Sequence, residues 1–277
     1  MSPSSSDRLL IALEPDALAW VRLKAGWRAR VTEKRTLACD PNLGPEPWRG
    51  AVAALARPAG EAAQASAKVT VVLSNHFVRY GLVPWSEELG SAREEAAFVR
   101  YCFAKVHGER SKGWDLRLSP GPAGSTRMAS AVDSALVQAV RACFPAGAGA
   151  RLVSIQPYLM SAFNRWRTLV AGGRGWLLLV EPQRLCLARI ENGRWAAVRN
   201  ARGSFEEPAA WADLIDRERH RLGGDATADT AYVHAPRNGS VPSSEVQGWT
   251  FRDLAIAPPE GLNPAEARPL AMALCAQ

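Results

Sequence analysis

One stretch of this chain occurs twice. Residues 9–35 read LLIALEPDALAWVRLKAGWRARVTEKR, and residues 176–202 read WLLLVEPQRLCLARIENGRWAAVRNAR. A constant offset of 167 residues pairs Leu10 with Leu177, Glu14 with Glu181, Pro15 with Pro182, Leu18 with Leu185, Arg22 with Arg189 and Gly26 with Gly193. Carried on without a gap, it also pairs Ala29 with Ala196, Val31 with Val198 and Arg35 with Arg202. Two copies a domain's length apart point to duplicated halves, whereas a solenoid needs several copies at a short period. Leu and Ala matches between apolar strands are cheap. The shared Glu-Pro, the Arg and the Gly in register are what favour duplication.

Each copy reads as three strands in close succession: residues 9–13, 18–23 and 28–36 in the first, with a turn around Gly26. A proline-rich loop over 41–47 precedes a short helix carrying Trp48, Val52 and Leu55, stopped by Pro58 and Gly60. Residues 61–67 read as a small-residue linker. Buried strands follow over 68–74 and 77–84. Ser91 and Glu94 form a capping-box pattern that opens a helix with Phe98, Tyr101, Cys102 and Val106 on its core face, ended by Gly108. Strands over 114–118 and 126–132, a helix over 133–144 and a strand over 152–155 come next. Pro157 suits the first position of a helix that buries Leu159, Phe163 and Trp166.

After the second copy, residues 208–222 carry Trp211, Leu214, Ile215 and Leu222 at helical spacing, up to Gly223-Gly224. Strands over 231–234 and 248–254 and a helix over 264–275 complete the order. The class is α/β, each half opening on a three-strand meander rather than on strict βαβ alternation. The expected organisation is a disordered tail over 1–7, a first half over 8–150 with an inserted subdomain at about 74–132, and a shorter second half over 151–277.

The chain has 277 residues and a net charge of +7, with 29 Arg and 5 Lys. The basic residues are scattered, and only Arg217, Arg219 and Arg221 are grouped, so a nucleic-acid footprint is not expected. Weak attraction to an anionic membrane surface stays open. No apolar run reaches the roughly 18–20 residues that span a bilayer, and the N-terminal MSPSSSDR has no signal-peptide core. The five cysteines, 39, 102, 143, 186 and 275, form no CxxC pair, and Cys102, Cys143 and Cys186 read as small buried hydrophobes of a reducing, cytoplasmic compartment.

No metal site is expected. His76, His107, His220 and His234 lie far apart and lack ligand spacing. Asp213, Asp216 and Glu218 alternate with arginines, the pattern of a solvated helix face. Phe77, Arg79, Tyr80 and Trp85 read equally as an aromatic-basic patch for a peptide and as alternate core and surface positions of one strand.

Two halves, each opening with strand, turn, strand, turn, strand, resemble the actin-like (ribonuclease H-like) fold. The sequence resembles the PilM family of type IV pilus assembly proteins in particular, with the cytoplasmic domain of the GspL family close behind. The likeness runs over roughly residues 8–235. It includes an R-x-x-x-(L/V)-P element at Arg79 to Pro84 and a V-x-x-x-P-x-x-x-x-x-A-like segment from Val153 through Pro157 to Ala162.

In nucleotide-binding members of that fold the turn after the first strand of each half is D-x-G, whose backbone N–H groups approach phosphate. Here both turns are Glu-Pro, at Glu14-Pro15 and Glu181-Pro182, followed by Asp16-Ala17 and Gln183-Arg184. Proline removes a donor and no glycine follows. Where a Gly-Gly turn would pack on adenosine, the chain has His234-Ala235-Pro236.

The resemblance with these departures implies a pseudo-ATPase. No catalytic residue, no cofactor and no ATP hydrolysis are expected. The implied role is a non-catalytic scaffold on the cytoplasmic face of the inner membrane, peripheral and not inserted. It would bind the cytoplasmic tail of a PilN-like inner-membrane protein, with further platform proteins as possible contacts. The partner-binding residues would be Phe77, Arg79, Tyr80 and Trp85. A divergent sugar kinase-like phosphotransferase of the same superfamily is the alternative, and both Glu-Pro turns argue against it.

Overall fold

A strand with neighbours on both sides must be apolar on both faces, and the first repeat supplies one. In the computed structural model, which describes residues 6–27, 29–63, 66–147, 149–223, 230–237 and 241–277, β1 (Asp7–Leu13) is buried continuously from Leu9 onward. It lies between β2 (Ala17–Lys24), antiparallel, and β4 (Ala67–Leu73), parallel. β3 (Arg30–Ala38) flanks β2, and β8 (Ala150–Pro157) flanks β4, giving the order β3-β2-β1-β4-β8. β3 is a charged edge, with most positions exposed, as suits a strand that must not pair with another chain.

The second repeat builds the same arrangement. β9 (Arg174–Glu181) is central, with β10 (Arg184–Glu191) and then β11 (Arg194–Arg202) on one side, and β12 (Thr230–His234) and β13 (Phe251–Asp253) on the other, in the order β11-β10-β9-β12-β13. The register of the first hairpin is kept: Leu13 faces Leu18, and Val180 faces Leu185. Both sheets also carry a β-bulge at one matching place, after Arg22 and after Arg189.

The ungapped match does not survive past that point. The second hairpin turns through two residues, Asn192-Gly193, both at positive φ (50° and 75°), the geometry of a type I′ turn. The first needs residues 25–29, since Lys24 faces Arg30. Arg30 therefore occupies the place of Arg194, and the pairings of Ala29 with Ala196, Val31 with Val198 and Arg35 with Arg202 are corrected by three residues.

The contacts of the chain divide it into two units. One holds residues up to Val78, Asp133–Arg165 and Ile256–Gln277; the other holds Arg79–Val132 and Trp166–Ala255. In the first unit, α1 (Arg49–Ala63) packs on β1, β2 and β8, and on α3 (Ser134–Ala142). Two C-terminal turns, α6 (Pro264–Ala267) and α7 (Ala271–Leu274), are joined by a 3₁₀ turn over Arg268–Leu270, and α7 packs on β1, β2 and β4. β8 and this C-terminal segment, placed in a second half by the sequence reading, are thus packed with the first sheet. In the second unit, Trp176, Leu178, Trp211, Ile215, Val233 and Phe251 belong to the core between the sheet and α5 (Pro208–Arg221). A smaller layer sets α2 (Ala92–His107) on the sheet β5-β7-β6, made of β5 (Val78–Val83), β6 (Trp114–Leu118) and β7 (Arg127–Asp133).

Several local expectations change. Asp7 is already in β1, and the rest of the expected tail, apart from Ser6, lies outside the described residues. Pro58 sits inside α1 rather than ending it, so the helix runs through Gly60 into the expected linker. Burial of Leu55, Ala59 and Ala62 on the helix's inner side outweighs the lost hydrogen bond. In α2 the buried face is Val99 and Phe103, while Tyr101 and Val106 are 61% and 75% exposed. Ser91 caps α2 as expected, accepting from the Glu94 N–H at 3.2 Å. The Glu94 carboxylate closes on the Gly90 N–H at 2.9 Å instead of on Ser91's. Pro157 ends β8, and α4 (Tyr158–Val170) begins just after it. Within α4, Trp166 leaves helical geometry at φ −105°, ψ 16°. Pro269 breaks the expected terminal helix into its short turns. Among the described residues no helix is long and apolar enough to cross a membrane.

Candidate functional site

In the first sheet, the Glu14 N–H donates to the Ala17 carbonyl at 2.9 Å, closing the β1–β2 turn around Pro15 and Asp16. Glu14 itself is buried. The Asp16 carbonyl accepts from the Cys39 N–H at 2.9 Å, and the Ser74 N–H donates to the Leu13 carbonyl at 2.9 Å. The Cys39 thiol is pushed up to about 11, by burial first and then by the negative charges of Asp16 and Glu14. A phosphate entering here would meet that same field, and Pro15 offers no N–H.

The equivalent turn of the second sheet is built alike. Glu181 is buried, and Gln183 takes φ +56° without being glycine, a conformation that costs about 1 kcal/mol for an ordinary residue. Its carbonyl accepts from the Gly203 N–H at 3.2 Å. Burial, and then the Glu181 charge, raise the Cys186 thiol well above its ordinary value. At the third place, where β12 ends, His234 is buried, its Nδ1 lies 2.7 Å from the Leu254 carbonyl and its ring lies 4.7 Å from Trp166.

The residues expected to meet a partner are divided. Phe77 is buried at 5% exposure in the first unit. Arg79, Tyr80 and Trp85 belong to the second, where the Arg79 guanidinium lies 5.9 Å from the centre of the Trp114 ring. Burial lowers the Arg79 pKa. Trp85 is 37% exposed.

By sequence Arg184 is a turn residue and Arg202 the repeat partner of Arg35. The two are directly opposite one another across β10 and β11. Arg184 donates from Nη1 to the Asn200 side-chain oxygen at 3.3 Å, while its buried Nε has no partner among the described residues. Cross-strand register brings this pair together, and a linear sequence does not display register.

The histidines stay apart. His107 packs against Phe103 and Trp114, His220 bonds back to the Asp216 carbonyl within its own helix, and His234 is the buried residue described above. Among the described residues no group of three or more His, Cys, Asp or Glu is placed to hold a metal ion. Asp213, Asp216, Arg217, His220 and Arg221 line an open depression on α5. The Asp216 carboxylate is engaged there by the Trp249 indole N–H at 3.1 Å and by Arg219 at 2.9 Å.

Two five-stranded sheets of one order, each opening on an antiparallel meander followed by parallel strands, define an actin-like protein. Its solved relatives by shape are of that class. The PilM-PilN type IV pilus biogenesis complex matches with a TM-score of 0.59 at 18% identity, over 82% of this chain and 81% of that one. The cytoplasmic domain of EpsL, an inner-membrane component of the type II secretion system of Vibrio cholerae, matches with a TM-score of 0.59 at 14% identity, over 98% and 96%. A protein of actin-like ATPase fold from Bacteroides thetaiotaomicron matches with a TM-score of 0.55 at 12% identity, over 84% and 82%. The chain thus has the actin-like fold in the form seen in PilM and EpsL. By sequence, no family model and no curated protein matches it.

Proposed function

We propose that this chain is a non-catalytic scaffold of a type IV pilus or type II secretion-like assembly platform. In this reading it works at the cytoplasmic face of the inner membrane and binds the cytoplasmic tail of a PilN-like partner. The observation that carries it is the pair of Glu-Pro turns, each with its glutamate buried, on a frame shaped like PilM and the EpsL cytoplasmic domain. Those turns present carboxylates and lack a donor where a phosphate would need N–H groups. Loss at both turns fits two halves of common origin whose arrangement is kept for architecture. The region from about residue 74 to 132, which carries Arg79, Tyr80 and Trp85, is the proposed docking region, and fold likeness alone is the warrant for it.

The test is a pull-down of the purified chain with the cytoplasmic tail peptide of the bitopic membrane protein encoded beside it. Retention of the tail, and of no scrambled tail, is the expected result. Failure to retain any platform component sinks the proposal.

A further inference from the structure

Several interior arginines of this chain are paired with carboxylates, while Arg8 and Arg165 donate to the Ala276 and Leu274 carbonyls. Arg22 lies 3.4 Å from Glu33, Arg189 lies 2.8 Å from Glu191, and Arg127 lies 2.6 Å from Glu95. At the end of β10 two arginines meet instead. Arg184 and Arg202 face one another directly, an arrangement that destabilises a strand pair. Arg202 is exposed and makes no ion pair among the described residues. Arg184 leaves a buried N–H donor unmatched, which is costly for a charged group.

The Arg184 pKa is lowered, by burial first. The nearby Glu181 charge works to raise it, and Arg79 and Arg202 work as like charges to lower it further. Strand register thus sets two guanidinium groups at one end of β10 and β11, with Arg79 a further like charge acting on Arg184 and with Glu181, then Cys186, acting in the opposite sense.

We propose that Arg184 and Arg202 form a carboxylate-binding site for an acidic side chain of an extended partner segment. The planar fork of a guanidinium matches a carboxylate in two hydrogen bonds. A phosphate, with more charge, would be repelled by Glu181 and would find no N–H at Pro182. The site lies at the end of β11, the outer strand of its sheet, whose other edge pairs with no strand among the described residues. An extended segment could therefore run beside β11 with its acidic side chain at Arg202 and Arg184. The analogous edge β3 already shows such a contact within the chain. There the Val31 N–H donates to the Glu260 carbonyl at 2.8 Å, and Lys34 holds Glu266 at 2.6 Å.

This site rests on the scaffold reading for its partner, and its test does not. Tetraglutamate and tetraglutamine peptides are titrated by calorimetry into the full chain and its Arg184→Gln, Arg202→Gln and Arg194→Gln variants. Tetraglutamate is expected to bind, and to weaken by about tenfold in the first two variants, the loss of one charge-assisted pair. Arg194→Gln, at the other end of β11, is expected to bind as the parent does. Without ligand, Arg202→Gln should melt no lower than the parent, because it relieves a like-charge pair.

Equal binding of tetraglutamine overturns the site, as does an equal loss in Arg194→Gln. Tighter binding of inorganic phosphate with the same variant pattern overturns the carboxylate assignment. If tetraglutamate binds and the membrane-protein tail does not, the scaffold reading fails alone. If the tail binds and tetraglutamate does not, this site fails alone.

Discussion

Arg22 faces Glu33 across β2 and β3, with 3.4 Å between Nε and Oε2, and the same carboxylate accepts the Trp20 indole N–H at 2.9 Å. One acid thus ties two residues of a central hairpin to its edge strand. Burial works to raise the Glu33 pKa, but the hydrogen bonds from Trp20 and Arg22 and the charges of Arg22 and Arg35 outweigh it, so the pKa lies below the ordinary carboxylate range. A carboxyl depressed in the folded state contributes stability above its unfolded pKa, near about 4.3, and that contribution is lost as pH falls through the lower folded value. Glu33→Gln is expected to cost about 1 kcal/mol at neutral pH, after allowing for solvent screening. The difference between variant and parent should shrink below about pH 4. Urea melts of both proteins at several pH values check it; a difference that stays constant down to low pH removes Glu33 as its source.

Nucleotide should leave the protein unchanged. A ligand that binds the folded state at 100 times its Kd stabilises by about 2.7 kcal/mol, enough to move a melting curve visibly. With Glu14 and Glu181 buried at the two turns and prolines next to them, Mg-ATP at millimolar concentration is expected to give no shift. A rise in Tm that disappears in Glu14→Ala would show that the first turn still binds the nucleotide through its acid.

Trp211 donates its indole N–H to the Phe205 carbonyl at 2.8 Å and meets the Phe251 ring edge-on at 5.5 Å. It is 1% exposed. Trp211→Phe removes this donor to the Phe205 carbonyl and opens a small cavity. Together these should cost about 3 kcal/mol. Chemical denaturation followed by far-UV circular dichroism measures it, and a loss below about 1 kcal/mol would mean the carbonyl finds another donor.

What was legible in the sequence is what burial alone decides. β1 and β9 are buried on both faces, so their apolar runs stand out without reference to any neighbour. The Glu-Pro turns were legible because proline's missing N–H is local chemistry. Register was not. Gly26 and Gly193 share the 167-residue offset and invited an ungapped match, yet strand pairing places three extra residues in the first hairpin. The α2 face was read in part: Phe98 and Cys102 do pack on the core, but the small sheet beneath buries Val99 and Phe103 most deeply and leaves Tyr101 and Val106 exposed. Arg184 and Arg202 are 18 residues apart in the chain and meet only through the same kind of register.

The unequal hairpins allow a direct substitution. Both meanders share the bulge after Arg22 or Arg189 and then close, through Lys24 and Arg30 in one and Glu191 and Arg194 in the other. Replacing residues 25–29 by Asn-Gly gives the first hairpin the turn of the second, whose two positive φ angles those residues accept readily. The swap removes the Ala25 N–H bond to the Asp7 carboxylate at 3.0 Å, worth about 1 kcal/mol. It also removes Trp27, which is 80% exposed and contributes little packing. The Val31 to Glu260 contact lies beyond the replaced residues. The shortened chain is expected to fold, with stability within about 1 kcal/mol of the parent by urea denaturation. Aggregation, or a loss above about 3 kcal/mol, would show that the longer loop supports the sheet and that the two meanders are not interchangeable at this turn.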